Sequence, residues 1–336
     1  MTSTIDLHII ASCSDRKRAP VPSELHLRTI QAETPESRAQ HWCSSLYNHP
    51  HPTRPALELY AGDHWNVVLE LPALASQAGL RPQLWVASAG YGLIPADAAI
   101  RPYSATFTRG HADSVIPRGE SGPTSALHQH WWKALTREPG PTPGAPRHIH
   151  QLAETAPRAR LLVVASSPYV AALEQDLALA ARALRKPEYL LIVSKPGPLF
   201  RGVLEPHQVP STSHLQPLLG GPLQSLHARV ARDLLERTRD AGAEVDATHA
   251  RDYYESLIRR SAPPVRYERT PMTDDEVRRF IERTPRTEKY LWSATLKQLR
   301  DSGLACELKR FKRLFHEVQQ RADQQHQNPA AQPRPT

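Results

Sequence analysis

The sequence predicts an α/β protein: a mostly parallel sheet with helices on both faces, three layers in all, followed by a small helical unit. Three observations carry this expectation. Four short apolar runs, rich in leucine and β-branched residues, recur through the first two thirds of the chain. Segments with helical period separate them, and such alternation implies parallel strands joined by crossover helices. Beyond residue 245 the apolar runs cease and only helical patterning remains.

The elements follow in order. Asp6–Ala11 is the first strand, Gln83–Ala87 the second, Arg160–Ala165 the third and Tyr189–Val193 the fourth. Strands covered on both sides read as continuous apolar runs, and these do. Between and after them, Leu57–Ala78 sets Leu57, Tyr60, Val67, Val68, Leu71 and Leu74 towards one helical face. Ser121–Arg137, Tyr169–Leu184 and Pro222–Arg239 have the same period. Pro-rich stretches at Pro20–Pro22, Pro50–Pro55 and Pro139–Pro146 are expected as surface loops. Residues 1–245 thus form the α/β domain.

A helical unit is expected over residues 246–321. It opens with a helix at Thr248–Arg260, broken by Pro263–Pro264. Thr273-Asp-Asp-Glu is a capping box with acidic residues in the first turn. Helices near Thr273–Arg283, Thr287–Ser302 and Ala305–Arg321 follow, with Gly303 as a cap between the last two. The Gln- and Pro-rich stretch 322–336 is expected to be disordered.

Of 336 residues, 42 are Lys or Arg against 34 Asp or Glu, giving a net charge of +8. Arg supplies 34 of those cations, and its planar fork pairs bidentately with phosphate, so the balance leans towards a polyanionic partner. The longest apolar runs fall far short of the roughly 20 residues that cross a bilayer. The amino terminus lacks a basic region followed by an apolar stretch, and the cytoplasm is the expected compartment. Cys13, Cys43 and Cys306 are too widely spaced for a zinc knuckle and odd in number for a disulfide framework. His pairs occur at His49/His51, His128/His130 and His148/His150 without neighbouring Cys or carboxylate clusters, so neither metal nor cofactor is expected.

In an open parallel sheet, ligands bind outside the carboxyl ends of the strands. The four strands are followed by Ser12-Cys13-Ser14-Asp15-Arg16-Lys17, Ser88-Ala-Gly90-Tyr91-Gly92, Ser166-Ser167-Pro168-Tyr169 and Ser194-Lys195-Pro196-Gly197. Four hydroxyl-rich turns converging on one rim suit an anion, although Ser also follows strands simply as a helix N-cap. The second turn continues into a loop with one carboxylate, Asp97, and with Pro102 and Tyr103. Asp63-His64 offers a possible acid–base pair, and Gly220-Gly221-Pro222 precedes a helix start.

The early Ser-Cys-x-x-x-Lys, the Leu59-Tyr60-Ala61-Gly62 stretch and Tyr91-Gly-Leu-Ile followed by Ile100-x-Pro102-Tyr103 resemble the YaaA-related superfamily. The resemblance covers about residues 5–240. That group includes a DNA-binding peroxide-stress protein, a domain found beside deazaguanine and phage-defence genes, and an anti-phage DNA glycosylase that removes glucosylated hydroxymethylcytosine. Ser12, Cys13 and Lys17 match the first motif, Tyr60 and Gly62 the second. Ser88, Tyr91, Gly92, Asp97, Pro102 and Tyr103 match the third, and Ser167 and Tyr169 resemble a later strand-end turn. The Gly-x-Asp-Pro and His-Pro-Ser loops of uracil glycosylases are absent from the sequence.

The resemblance implies a DNA N-glycosylase that excises a modified base from double-stranded phage DNA. A carboxylate near C1′ would stabilise the oxocarbenium-like sugar, with Asp97 the first choice and Asp15 and Asp63 behind it. Asp97 has a structural alternative as the cap of a short helix at Ala98–Ile100. The flipped base would meet Ser12, Cys13, Ser88, Tyr91, Gly92, Tyr103, Ser167 and Tyr169, the tyrosines being core packers in the alternative reading. Lys17 would form a Schiff base or contact a phosphate. Arg16, Arg18, Arg101, Arg109 and Lys195 would line the backbone. In the last helix Leu308, Phe311, Leu314, Phe315 and Val318 make the buried stripe. Lys309, Arg310, Lys312 and Arg313 stay outside, either towards DNA or simply solvated. Two alternatives remain open: a DNA-binding protein without catalysis, and a nucleoside base-exchange enzyme.

Overall fold

The computed structural model describes residues 4–32, 34–197, 202–262, 268–285 and 291–327. The chain divides into two compact units, residues 1–263 and 264–336. In the first, the sheet comprises β1 (Asp6–Ser12), β2 (Arg81–Ser88), β3 (Gly92–Pro95), β4 (Arg160–Val164), β5 (Leu190–Ser194) and β6 (Gln208–Pro210). The spatial order is β3-β2-β1-β4-β5-β6. Every pairing is parallel except that of β3, which turns back on β2 with Ser88 opposite Gly92 and Trp85 opposite Pro95. The four expected strands are the central ones, and Ile9, Leu162, Val163, Leu191 and Ile192 are fully buried. The edge strands β3 and β6 were not expected. Both are short and end in proline, which edge positions tolerate because one side of the strand needs no ladder bond.

Around the sheet stand α1 (Pro35–Asn48), α2 (Asp63–Gln77), α3 (Thr124–Arg137), α4 (Ile149–Thr155), α5 (Ser167–Ala183), α6 (Leu226–Ala241) and α7 (Ala247–Arg260). From β1 the chain crosses to β2 on one side, and from β4 to β5 on the other. Right-handed crossovers in opposite directions put α2 and α5 on opposite faces. Helix α6 packs beside α2, while α3 and α4 pack beside α5. The result is the expected three-layer α/β arrangement.

Two boundaries differ from the sequence expectation. Residues 57–78 are not one helix: a single turn at Ala56–Leu59 ends before Gly62, at φ +98°, and α2 begins after it. Gly62 adopts that conformation without a Cβ penalty, and a right-handed helix cannot run through it. Helix α7, expected in the C-terminal unit, belongs to the first. Its Ala247, Ala250 and Tyr254 join that core, and Tyr254 Oη lies 3.1 Å from the Val230 carbonyl and 2.7 Å from Asp233 Oδ2. The boundary therefore falls near 263 rather than 245.

The second unit contains α8 (Asp274–Arg283), α9 (Trp292–Asp301) and α10 (Leu308–Gln327), with a short parallel pair between Thr270–Pro271 and Leu304–Ala305. Val277, Ile281, Leu299, Phe311, Leu314, Phe315 and Val318 form its core. Leu308, expected in the buried stripe, is 44% exposed at the first position of α10. Helix α10 continues to Gln327, past the expected end at Arg321. The rest of the expected disordered tail, 328–336, lies outside the described residues, as do 287–290 of the helix expected at Thr287–Ser302. Among the described residues, no helix is long and apolar enough to cross a membrane.

Candidate active site at the carboxyl edge of the sheet

The strand order reverses between β1 and β4, where chains leaving neighbouring strands diverge and open a crevice at their carboxyl ends. The loop after β1 brings Cys13 there, the start of α5 brings Tyr169, and the turn after β2 brings Ser88. Cys13 Sγ lies 3.0 Å from Tyr169 Oη, and Tyr103 Oη donates to the same sulfur at 3.4 Å. Ser88 Oγ is 2.7 Å from Tyr103 Oη and accepts from Tyr60 Oη at 3.3 Å. It also accepts the amides of Gly90 and Tyr91 at 3.3 and 3.0 Å, which closes the turn. The indoles of Trp42 and Trp131 hold that turn from the other side, donating to the Gly90 and Ala89 carbonyls at 2.8 and 2.9 Å. Gly90 passes so close to Tyr103 that a Cβ would fall 2.4 Å from the ring.

Burial, and secondarily the nearby Cys13 sulfur, holds the hydroxyls of Tyr60, Tyr103 and Tyr169 well above the ordinary tyrosine range. They stay protonated and serve as donors. Half-buried Lys17 lies over this cluster, its Nζ 4.4 Å from the Tyr103 ring centroid and 5.8 Å from that of Tyr60. Its ammonium donates to the Asp15 carbonyl at 3.1 Å. Burial lowers the Lys17 pKa, with the charges of Asp15 and Asp113 opposing that shift. The shift favours the neutral amine relative to an ordinary lysine. Asp15 itself is exposed, and its charge is also felt at Tyr169.

Asp113 escaped the sequence reading. It is 1% exposed and accepts from Ser104 Oγ at 2.8 Å and the Arg28 amide at 3.2 Å, with His26 Nδ1 at 3.0 Å. Burial alone would raise its pKa, but bonds from His26, Ser104 and Arg28 outweigh that and hold it low. It sits in a polar His-Ala-Asp-Ser loop with no periodicity to signal burial.

Several expected residues are placed elsewhere. Asp97 lies on an exposed turn beyond β3. Because β3 runs antiparallel, the neighbouring Ala96 amide bonds to the Leu84 carbonyl at 3.0 Å. Leu84 precedes Ser88 by four residues, about 13 Å along a strand, so Asp97 stands well back from the rim. It caps no helix either, since Ala99–Ile100 pairs with Arg54–Pro55 as a short strand. Tyr91 and Tyr103 are buried edge to face with centroids 5.2 Å apart, so neither offers a face to a base. Gly92 serves the turn, at φ +74°. Arg101 Nε is bound to the His51 carbonyl at 2.9 Å and Arg109 Nη1 to Thr124 Oγ1 at 2.7 Å, whereas Arg16 and Arg18 are exposed beside Lys17.

Asp63 and His64 point to different partners. Asp63 is held by Arg229 Nη2 at 2.9 Å and by Ser225, while His64 Nε2 is 2.9 Å from the Ser12 carbonyl. Gly220 and Gly221 make a turn at φ +69° and +71° before α6. Ser167 and Lys195 line a separate cavity. In the second unit, Arg310 Nε contacts Asp274 at 2.6 Å, and Arg313 bridges Asp274 at 3.2 Å and Glu317 at 2.5 Å. These two arginines are committed to ion pairs within the unit. Lys309 is exposed, and Lys312 Nζ lies 5.4 Å from the Trp292 ring. His148, His150 and Asp176 gather closely enough to share an ion, but Asp176 already accepts the Ile149 and His150 amides at 2.9 and 3.0 Å as the cap of α4.

Comparison with protein-family models, curated proteins and solved structures returns no match, which leaves the chemistry to be argued from the residues.

Proposed function

We propose that this protein is a DNA N-glycosylase of the YaaA-related kind that removes a modified base, α-glucosyl-hydroxymethylcytosine of phage DNA being the substrate the resemblance suggests. The observation that carries the proposal is Lys17: a desolvated amine at the carboxyl edge of the sheet, over two tyrosine rings and beside the exposed Asp15. The neutral amine attacks C1′, the glycosidic electron pair leaves with the base, and the base takes up a proton. Asp15 offsets positive charge developing on the sugar. The amine then loses a proton as the sugar ring opens to a Schiff base, and water releases the abasic sugar. Arg16 and Arg18, exposed beside Lys17, contact the phosphates in this scheme. In this scheme Asp15 takes the role first expected of Asp97.

Borohydride trapping tests the proposal. Duplexes carrying cytosine, hydroxymethylcytosine or its glucosylated form are incubated with the protein and sodium borohydride. A covalent adduct confined to one modified duplex, absent in Lys17→Ala and formed about 100-fold more slowly in Asp15→Asn, is the expected result. Excision that survives in Lys17→Ala would overturn the role of the amine. The exposed position of Asp97 favours a second reading, a DNA-binding protein without catalysis. A gel shift with intact strands after hot alkali would select it.

A further inference from the structure

The first unit holds another cavity, lined by serines, Lys195 and His227 together with Pro168, Leu223 and Leu226, that the chemistry above does not use. Its volume is about 330 Å³, and it lies at the carboxyl ends of β4, β5 and β6. Ser166 and Ser167 reach it from the start of α5, and Lys195 from just after β5. Ser211 and Ser213 come from beyond β6, and His227 from the first turn of α6. No carboxylate is among the described residues that line it. Two helices, of 17 and 16 residues, begin at its wall, and the amide groups of a helix start present positive partial charge. Ser166, at the N-cap of α5, makes no side-chain bond to its own helix.

A second observation is independent of the helix ends. His227 is only 7% exposed, and its Nε2 has no partner among the described residues. Its ring lies tilted against that of His64, with centroids 4.8 Å apart. Burial, with the His64 charge adding to it, keeps the imidazole neutral. A buried polar atom left without a partner is costly, and such atoms mark places where a ligand or water completes the bonding. Asp63 also lies at the start of α6, bonded to its N-cap Ser225, but its charge is paired with Arg229 and it does not line the cavity.

We propose that this cavity binds a phosphate group. Lys195 supplies the charge, the starts of α5 and α6 supply amide donors, and Ser211 and His227 supply the remaining hydrogen bonds. The space exceeds one phosphate and accommodates a phosphate ester, and the test distinguishes the monoester of a free nucleotide from the diester of a polynucleotide. None of the residues involved takes part in the glycosidic chemistry, so the two proposals stand or fall separately.

Isothermal titration calorimetry tests it with three probes: inorganic phosphate, deoxythymidine 5′-monophosphate and a five-nucleotide DNA strand without terminal phosphate. Each is titrated into the wild type, Lys195→Ala and Ser211→Ala. Lys195 is exposed, so its truncation leaves the fold intact, and circular dichroism checks this. The expected result is one phosphate site that Lys195→Ala weakens at least tenfold and Ser211→Ala severalfold. Monoester binding alone identifies a free nucleotide as the source, and strand binding with the same Lys195 dependence identifies a polynucleotide. Absence of binding by all three probes, or binding unchanged in both variants, would overturn the proposal.

Discussion

At Asp176, burial and hydrogen bonding pull in opposite directions. Burial would raise its pKa, but bonds from His148, His150 and the amides of Ile149 and His150 outweigh it and leave the carboxyl far below its ordinary 3.8. A depressed carboxylate stabilises the fold above that ordinary value and loses the contribution as pH falls below it. His150, raised from 6.5 by the same pair, acts in the other sense: its contribution is complete below 6.5 and is lost as pH rises through the raised value. Asp176→Asn should therefore cost about 2–4 kcal/mol at neutral pH and flatten the acid limb of stability, both read from urea unfolding at a series of pH values. A loss under about 1 kcal/mol would mean that α4 is held by its apolar contacts instead. The same scale explains the misplacement of Asp97. Its identity suits catalysis, but only strand direction decides which end of the sheet it occupies.

Among the elements, α8 is the one whose start the sequence specifies most completely. Thr273 Oγ1 accepts the Glu276 amide at 3.4 Å, and the Thr273 amide donates to Glu276 Oε2 at 2.7 Å, the reciprocal bonds of a capping box. Thr273→Ala should lower the stability of the second unit by about 1 kcal/mol, measured as an earlier thermal transition. An unchanged transition would show that packing of Val277 and Ile281 alone fixes the helix. Elements bounded by short-range signals such as this were legible. Strands β3 and β6 were not, because a three- or four-residue edge strand carries too little apolar pattern to stand out from a Gly- and Pro-containing loop. Helix α7 was legible as a helix but not as part of the first unit, since only its packing against β6, β5 and α6, distant in sequence, assigns it there.

For the whole molecule, the +8 net charge bears on the proposed nucleic-acid partner. Affinity for a DNA strand should fall linearly with the logarithm of salt concentration, with a slope of about −0.7 for each phosphate neutralised on a single strand. Fluorescence anisotropy between 50 and 200 mM salt measures it, those limits being an order-of-magnitude working range. A flat response would remove the electrostatic case for a polyanion. Arg310→Ala with Arg313→Ala should leave that slope unchanged, because both side chains are bound to Asp274 and Glu317 within their own unit.

By itself the sequence determined the class of fold, the four central strands, the capping box of α8 and the apolar face of α10. Each depends on local periodicity or on groups within a few residues of one another. It also placed Ser12, Cys13, Lys17, Ser88 and Tyr169 at or just after strand ends, because serine-rich turns after apolar runs mark strand ends. The tertiary structure alone decided that Tyr91 and Tyr103 are buried packers, that Asp97 stands back from the rim and that Arg310 and Arg313 are paired. It also placed Asp113 in the interior and left His227 Nε2 without a hydrogen-bond partner among the described residues. Burial and charge pairing are properties of what folds against a residue, and contacts across dozens to hundreds of positions leave no mark in local pattern.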